Sequence, residues 1–299
     1  MRSELLTVRV RCAAKVNLHL EVRGKRSDGY HELRTLFASV GVWDTLVLEA
    51  AAPGVLEMTV DPAGCVPVDH TNLVLKAARA LSAAYQPSRG ARIHLEKRIP
   101  VAGGMGGGSA DAAAALAGLA RLWELAASPS QLRGLAATLG ADVPFFLIGG
   151  AAWGVGTGSE VYPLSDLPGW WVVLIPGLEP VPTALVYRAL SPRMLDGQLD
   201  SAVYEWVVSG GELPLAACRN DLQSTVLERW PAIAGRLERV LKAGPLLAMV
   251  SGSGGTVFGL FADEARARQG ADALAGLAPI VAPLLGRASA HLQPSVEEG

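Results

Sequence analysis

The chain has 299 residues, with 26 Lys+Arg against 28 Asp+Glu and a formal net charge of −2; half of it is hydrophobic and 18% is charged. That composition excludes disorder. It also excludes a protein that coats long stretches of nucleic acid, which needs many spare cations. The length allows one large domain or two smaller ones.

In chain order, alternating apolar residues predict strands at 5–12, 16–22, 33–40, 45–50 and 91–96. A helix fits 72–85, with Thr71 or Asn72 as its cap. An alanine-rich helix fits 109–125, capped by Ser109. Ser128-Pro129-Ser130-Gln131 is a capping box with proline at the first helical position, opening a helix to about 139. The apolar run from Val143 to Gly158 is the longest, short of the ~18 residues of a membrane span. With Pro144 and five glycines it reads as a short buried strand with turns. Strands are expected at 151–155, 170–175, 246–250, 256–261 and 278–284, and helices at 183–190, 198–208, 220–228, 231–243 and 264–275. Strands and helices mixed in both halves indicate α/β or α+β, divided near 160–168, where turn formers collect.

The N-terminal stretch carries Arg2, Glu4, Arg9 and Arg11 and has no apolar signal-peptide core. Cys12, Cys65 and Cys218 are odd in number and form no CxxC; the five histidines form no HExxH. A cytoplasmic protein with reduced thiols and no protein-built metal cage is the expectation.

The glycines are uneven. Of 34, five fall in 103–108, five in 149–158, four in 252–259, and Gly24 and Gly29 flank one strand turn. The segment 97–116, KRIPVAGGMGGGSADAAAAL, ends a strand, runs through the glycines and opens a helix. Glycines let backbone wrap an anion, and a helix N-terminus offers free N–H groups and partial positive charge. No Lys-Ser/Thr follows, so this is not a Walker A loop. Asp111 would repel phosphate if it faced the loop, so it is expected to turn away or to meet a metal ion.

Two further residues carry chemical interest. Lys15 heads an alternating strand, on one face with Asn17, His19 and Glu21; alone, that face reads as half-exposed. Asp142 precedes Val143-Pro144-Phe145-Phe146, a turn or cap position whose apolar flank would desolvate a carboxylate. Nothing local brings the two together.

The loop from Pro100 resembles the phosphate loop of the GHMP kinases. Four more stretches extend the likeness in order along the chain, at 13–37, 71–81, 139–164 and 251–261. They point within those kinases to the branch that phosphorylates 4-diphosphocytidyl-2-C-methyl-D-erythritol. The resemblance implies a two-domain α+β fold. An N-terminal domain over 1–163 would be ribosomal-protein-S5-like, and a C-terminal domain over 164–299 ferredoxin-like, with substrate between them. It implies ATP along Pro100, Val101, Ala102, Gly103, Gly104, Met105, Gly106, Gly107, Gly108, Ser109 and Ala110, with Asn72 and Lys97 near the adenine and Mg²⁺ on the phosphates. Asp142 would be the base and Lys15 its partner. Tyr30 and His31 would hold the cytosine, Asn17 the methylerythritol end, and Thr183 and Tyr187 the far side of the base. Gly252, Ser253 and Gly254 match a third family turn. Met105 stands where leucine is commoner, and Ala110 where many relatives carry serine; 191–215 matches nothing. The implied partners are small molecules only, with no nucleic acid or membrane, for a monomer or weak homodimer.

The implied reaction moves the γ-phosphoryl of ATP to the 2-hydroxyl of the acceptor in isoprenoid precursor synthesis. Another GHMP kinase, for homoserine, mevalonate or a sugar, is the alternative; the DGYHE stretch at 28–32 separates them, since those acceptors carry no cytosine. A nucleotide-binding protein without catalysis and a dehydrogenase are the other readings.

Overall fold

The computed structural model describes residues 6–177, 179–190 and 201–297. Residue 5 of the first expected strand, 198–200 of one expected helix and most of the unmatched stretch's first half lie outside them.

Two long strands form the backbone of the N-terminal half. β1 (Thr7–Lys25) and β2 (His31–Ala51) pair antiparallel along nearly their whole length. Each absorbs segments that sequence periodicity reads as two. Bulges between Ala13 and Ala14, Asn17 and His19, and Val22 and Gly24 take up the breaks in alternation, so the ribbon bends without ending. One end of β2 pairs with β4 (Gly90–Glu96), which holds the short parallel β3 (Leu56–Asp61); the other pairs with β5 (Ala151–Gly156), which carries β6 (Glu160–Pro163).

Helices α1 (Leu73–Tyr85), α2 (Gly107–Leu122) and α3 (Pro129–Leu139) cover one face of this sheet. Eleven of the sixteen residues of α2 are buried, five of them in the run Ala110–Asp111–Ala112–Ala113–Ala114. Small side chains permit that depth: a Cβ on Gly118 would lie 2.3 Å from Leu48 Cδ1 and 2.8 Å from Val10 Cγ2. The expected capping box at Ser128 and Gln131 is formed. The expected cap at Ser109 is not. α2 starts two residues earlier with Gly106 as N-cap, because Gly106 takes φ +71° and Ser109 is already inside the first turn. Residues 143–146 form a short helix, α4 (Val143–Phe146), rather than the start of a strand, with Pro144 at a position where its missing N–H costs nothing.

The C-terminal half starts at β7 (Trp171–Ile175) and continues through α5 (Thr183–Arg188), α6 (Ser201–Ser209), α7 (Gln223–Arg229) and α8 (Pro231–Lys242). It closes with β8 (Leu247–Val250), β9 (Val257–Phe261), α9 (Glu264–Asp272) and β10 (Ile280–Leu285). The strand order β10-β7-β9-β8, all antiparallel, is a split β-α-β-β-α-β arrangement. This is the ferredoxin-like half expected. β10 then leaves its own sheet: Leu284 and Leu285 pair with Val40 and Ser39 of β2. After α10 (Arg287–Ala290), β11 (Ser295–Glu297) pairs with β1. The last described strand therefore lies in the sheet of the first.

That sheet-to-sheet continuity buries both faces of β1. Lys15, Asn17, His19 and Glu21 are all at most 4% exposed, against the half-exposed face that alternation suggests. The covering groups include Asp142, Trp153, Arg219 and Gly252, all more than 120 positions later and invisible to local pattern.

Candidate active site

A cleft of about 1420 Å³ runs between the halves. Its walls are β1 and the β1–β2 turn, the glycine loop, residues 137–142, α5 and the turn at 252–253. Lys15, Asn17, Tyr30, His31, Gly104, Gly106, Ser109, Asp142, Thr183, Tyr187, Gly252 and Ser253 all line it. Residues spread over 238 positions thus face one space.

Lys15 is the centre. Its Nζ lies 3.2 Å from Asp142 Oδ2 and donates to Asn17 Oδ1 at 2.6 Å. Asn17 Nδ2 donates to Thr35 Oγ1 at 2.7 Å, and Thr35 donates on to the His19 carbonyl at 2.8 Å. This chain orients the ammonium from behind, and the ring of Phe37 lies 5.6 Å below it. Lys15 is 4% exposed while the Asp142 side chain is 33% exposed, so the carboxylate is the member that faces the cleft. A partly desolvated carboxylate held beside a fixed ammonium is suited to taking a proton from a neutral hydroxyl. Asp142 sits at the N-cap of α4 without making a side-chain cap bond, so its oxygens are not spent on the helix.

The glycine loop is tied to this pair by backbone. Lys15 N–H donates to the Met105 carbonyl at 3.0 Å, and Met105 itself is buried in the core. Gly103 C=O accepts from Thr256 N–H, and Gly104 C=O accepts from Ser251 Oγ. Two of the glycine clusters therefore pack on each other: a Cβ on Gly104 would lie 2.2 Å from the Ser251 carbonyl oxygen, and one on Gly254 2.4 Å from Gly104 N. Part of the glycine surplus serves this backbone-to-backbone contact. Ala102, with φ +58°, holds a left-handed conformation that costs ~1 kcal/mol in a residue with a Cβ. With no side-chain cap on α2, the N–H groups of its first turn are open to an anion.

Beneath that turn lies a buried ion-pair cluster. Lys97 Nζ donates to Asp44 Oδ2 and, at 2.8 Å, to Asp111 Oδ2; all three are buried. The Lys97 ammonium pairs with two buried carboxylates that would be stranded charges without it, and lies 2.8 Å from where a Cβ on Gly107 would sit in the first turn of α2. Asp44 also accepts the N–H groups of Arg98 and Ile99, which fixes the approach to the loop. Asp111 turns away from the loop. Burial pushes its carboxyl up, Lys97 pulls it back and Asp44 pushes it up again, to about 7. Burial likewise lowers Lys97, but Asp111 and Asp44 outweigh it and the net direction is up. Cys12 Sγ lies 3.6 Å from Asp111, and burial followed by the two carboxylates raises its thiol well above its ordinary value. Asn72, expected near the adenine, caps α1: its Oδ1 accepts from Val74 N–H and its Nδ2 donates to the Pro67 carbonyl.

At the other end of the cleft, the rings of His31 and Tyr187 are 5.2 Å apart and tilted by 30°. Tyr30 is 67% exposed beside them, a flat face without a partner ring among the described residues. Burial first and the Lys25 ammonium second lower His31, which keeps the ring neutral. Burial and then the Asp142 charge raise the Tyr187 phenol, which stays protonated. Of the basic run, Arg23 pairs with Glu21 and Arg26 with Asp28 and Glu32, while Lys25 lines the cleft. Thr183 Oγ1 lies 2.8 Å from Ser253 Oγ, joining α5 to the third glycine turn.

Thr35, Asp44 and Asn220 support the site without having been singled out in the sequence. Asp44 and Thr35 carry one signal, a polar residue inside an apolar strand. Asn220 carries another, Asn-Asp before a helix, which marks a side chain that bonds backbone.

The GHMP kinases N terminal domain matches residues 72–150, and the GHMP kinases C terminal family matches 211–279. A 4-diphosphocytidyl-2-C-methyl-D-erythritol kinase of Nocardioides sp. is 40% identical over 95% of this chain and 99% of its own. One of Pelotomaculum thermopropionicum is 42% identical over 86% and 90%. A crystal structure of 4-(cytidine 5'-diphospho)-2C-methyl-D-erythritol kinase superposes with a TM-score of 0.78 at 39% identity, over 93% of this chain and 99% of that one. With a cleft lined by four of the five sequence stretches and relatives matched over most of their length, the chain belongs to the 4-diphosphocytidyl-2-C-methyl-D-erythritol kinase family of the GHMP kinases.

Proposed function

We propose that the protein transfers the γ-phosphoryl of ATP to the 2-hydroxyl of 4-diphosphocytidyl-2-C-methyl-D-erythritol, giving ADP and the 2-phosphate. The observation that carries this is the Lys15–Asp142 pair at 3.2 Å, set between an uncapped helix N-terminus and the Tyr30–His31–Tyr187 aromatic group. One end of the cleft suits phosphate, the other a flat heterocycle, and the base lies between.

Phosphoryl transfer asks mainly for positioning and charge stabilisation. The first-turn N–H groups of α2 and the loop from Pro100 to Ala110 would hold the nucleotide phosphates, with Ser109 as the hydroxyl on that wall. Asn72 stands at the neighbouring α1 N-terminus, where Leu73 Cδ1 comes within 3.8 Å of a Cβ on Gly108, which supports an adenine-side role. Asp142 accepts the proton of the acceptor hydroxyl, and Lys15, 3.2 Å away, holds the carboxylate in place. Asn17 holds Lys15 and offers its polar edge to the methylerythritol. Tyr30 stacks on the cytosine, a contact worth ~1–3 kcal/mol. His31 and Thr183 read its edge, and Tyr187 closes the far side.

The cleft fits Mg²⁺ bound chiefly through the nucleotide. Among its walls Ser109 offers a hydroxyl and Asp142 a carboxylate, matching an ion that keeps waters and takes one or two protein oxygens. The buried Cys12, Asp44 and Asp111 group does not fit it, since an ammonium already occupies it. When bound, the ion supplies neutralisation of phosphate charge.

The domains divide at 163/164 in this reading, with the last strand returned to the first sheet. No helix among the described residues is long and apolar enough to cross a membrane, and the three free cysteines support a reducing, cytoplasmic setting. The test is ADP formation with the cytidyl substrate against mevalonate and homoserine. Turnover with the cytidyl substrate alone is expected; preference for either of the others would overturn the assignment.

A further inference from the structure

Residues 219–223 lie far along the chain from Lys15 and the phosphate loop, yet they join the two halves beside β1. Leu20 N–H donates to the Arg219 carbonyl and Asp221 N–H donates to the Leu20 carbonyl, at 2.8 and 2.9 Å. The segment therefore runs beside β1, the strand that carries Lys15 and Asn17. Asn220 sits in the middle, 7% exposed. Its Nδ2 donates to the Val250 carbonyl at 2.9 Å and to the Gly252 carbonyl at 2.7 Å, and its Oδ1 accepts from Leu222 N–H at 2.9 Å. Gln223 adds a second tie, its Oε1 accepting from Val250 N–H at 2.9 Å.

The anchored residue matters because of what it touches. A Cβ on Gly252 would lie 3.2 Å from Asn17 Oδ1 and 3.5 Å from Lys15 Nζ. Gly252 is thus the wall against which the Lys15–Asn17 hydrogen bond rests, at φ +57°. The next residue back, Ser251, holds the Gly104 carbonyl of the phosphate loop. One buried amide fixes a turn that meets both the lysine and the loop.

We propose that Asn220 is a positioning residue for Lys15, acting through the Gly252 carbonyl; this rests on the kinase reading above. The polar groups of its amide are matched to backbone, so it has no spare group for substrate. Its role is to keep the Gly252 turn from drifting off the ammonium. Gln223 ties the same turn at Val250, two residues before Gly252, and does not hold Gly252.

The test compares Asn220→Ala with Gln223→Leu in the full chain, with kcat expressed per folded molecule. Asn220→Ala is expected to lower kcat at least ~10-fold, the scale of a sub-ångström misplacement at a reacting centre. The KM for the cytidyl substrate should stay within about 3-fold, because Tyr30 and His31 stand on a separate turn. Gln223→Leu should keep kcat within about 2-fold although it loses a hydrogen bond of similar kind. If Asn220→Ala does not fold, Gly252→Ala carries the test, with the same kcat loss expected from the lysine side. Wild-type kcat in Asn220→Ala or in that substitute, or an equal loss in Gln223→Leu, overturns the proposal. A wild-type enzyme inactive on the cytidyl substrate overturns the kinase reading instead, and this inference with it.

Discussion

Replacing Gly104 by alanine tests whether the glycine loop is shaped by the turn behind it. Gly104 has φ +76°, and its missing Cβ would sit 2.2 Å from the Ser251 carbonyl oxygen and 3.0 Å from both Gly254 Cα and Gly254 N. All three are backbone atoms, so no side chain can swing aside. The left-handed conformation costs ~1–2 kcal/mol for alanine, and forcing the two turns apart adds ~1–3 kcal/mol. At roughly 2–4 °C per kcal/mol for a chain of this class, thermal unfolding should fall by on the order of 10 °C. The displacement also pulls the Ser251 hydroxyl off the loop, so kcat/KM for ATP should drop at least ~100-fold. Gly108→Ala is the internal control. Its Cβ meets only Leu73 Cδ1 at 3.8 Å inside a helix, where alanine is favoured by about 1 kcal/mol, so its melting point should rise or hold. Differential scanning calorimetry with a coupled ADP assay reads both. A Gly104→Ala protein that melts within a degree or two of wild type and binds ATP normally would refute the close-contact argument.

Asp142→Asn and Lys15→Ala should each cut turnover at least ~100-fold with little change in melting temperature, and near-normal turnover in either would remove the pair from the chemistry. Tyr30→Ala should raise the KM for the cytidyl substrate far more than that for ATP; equal effects would put the base elsewhere. Lys97→Met strands two buried carboxylates, so a loss of ~3–5 kcal/mol is expected in chemical denaturation, and a change under ~1 kcal/mol would mean the pair is not formed. Asp111 holds its proton more tightly in the folded chain than in the unfolded one, with a folded value of about 7. Its stabilising contribution is complete below pH ~4 and is lost as pH rises through 7. The melting temperature of wild type minus that of Asp111→Asn should therefore fall between pH 5 and pH 8, and a constant difference would exclude the shifted carboxyl.

Much of this protein is written locally. The helix from 72, the capping box at Ser128 and the succession of strands and helices along the second half follow from periodicity and caps, which depend on neighbours a few residues apart. The likeness of 97–116 to a phosphate loop is local for the same reason: glycines and a helix start are chain-neighbour features. Lys15 and Asp142 were visible as residues but not as a pair, because 127 positions separate them and only the bend of β1 and the placement of α4 bring Nζ within 3.2 Å of Oδ2. Lys97 shows the reverse: its motif neighbours point to ATP, while Asp44 and Asp111, from β2 and α2, draw its ammonium into the core. Asn220 and Gly252 acquire their meaning only when the second sheet is laid against β1. Sequence by itself determined most of the helices and the family, since both rest on short-range pattern. Tertiary structure decided which polar groups meet, because burial, distance and charge pairing are properties of segments that the chain keeps far apart.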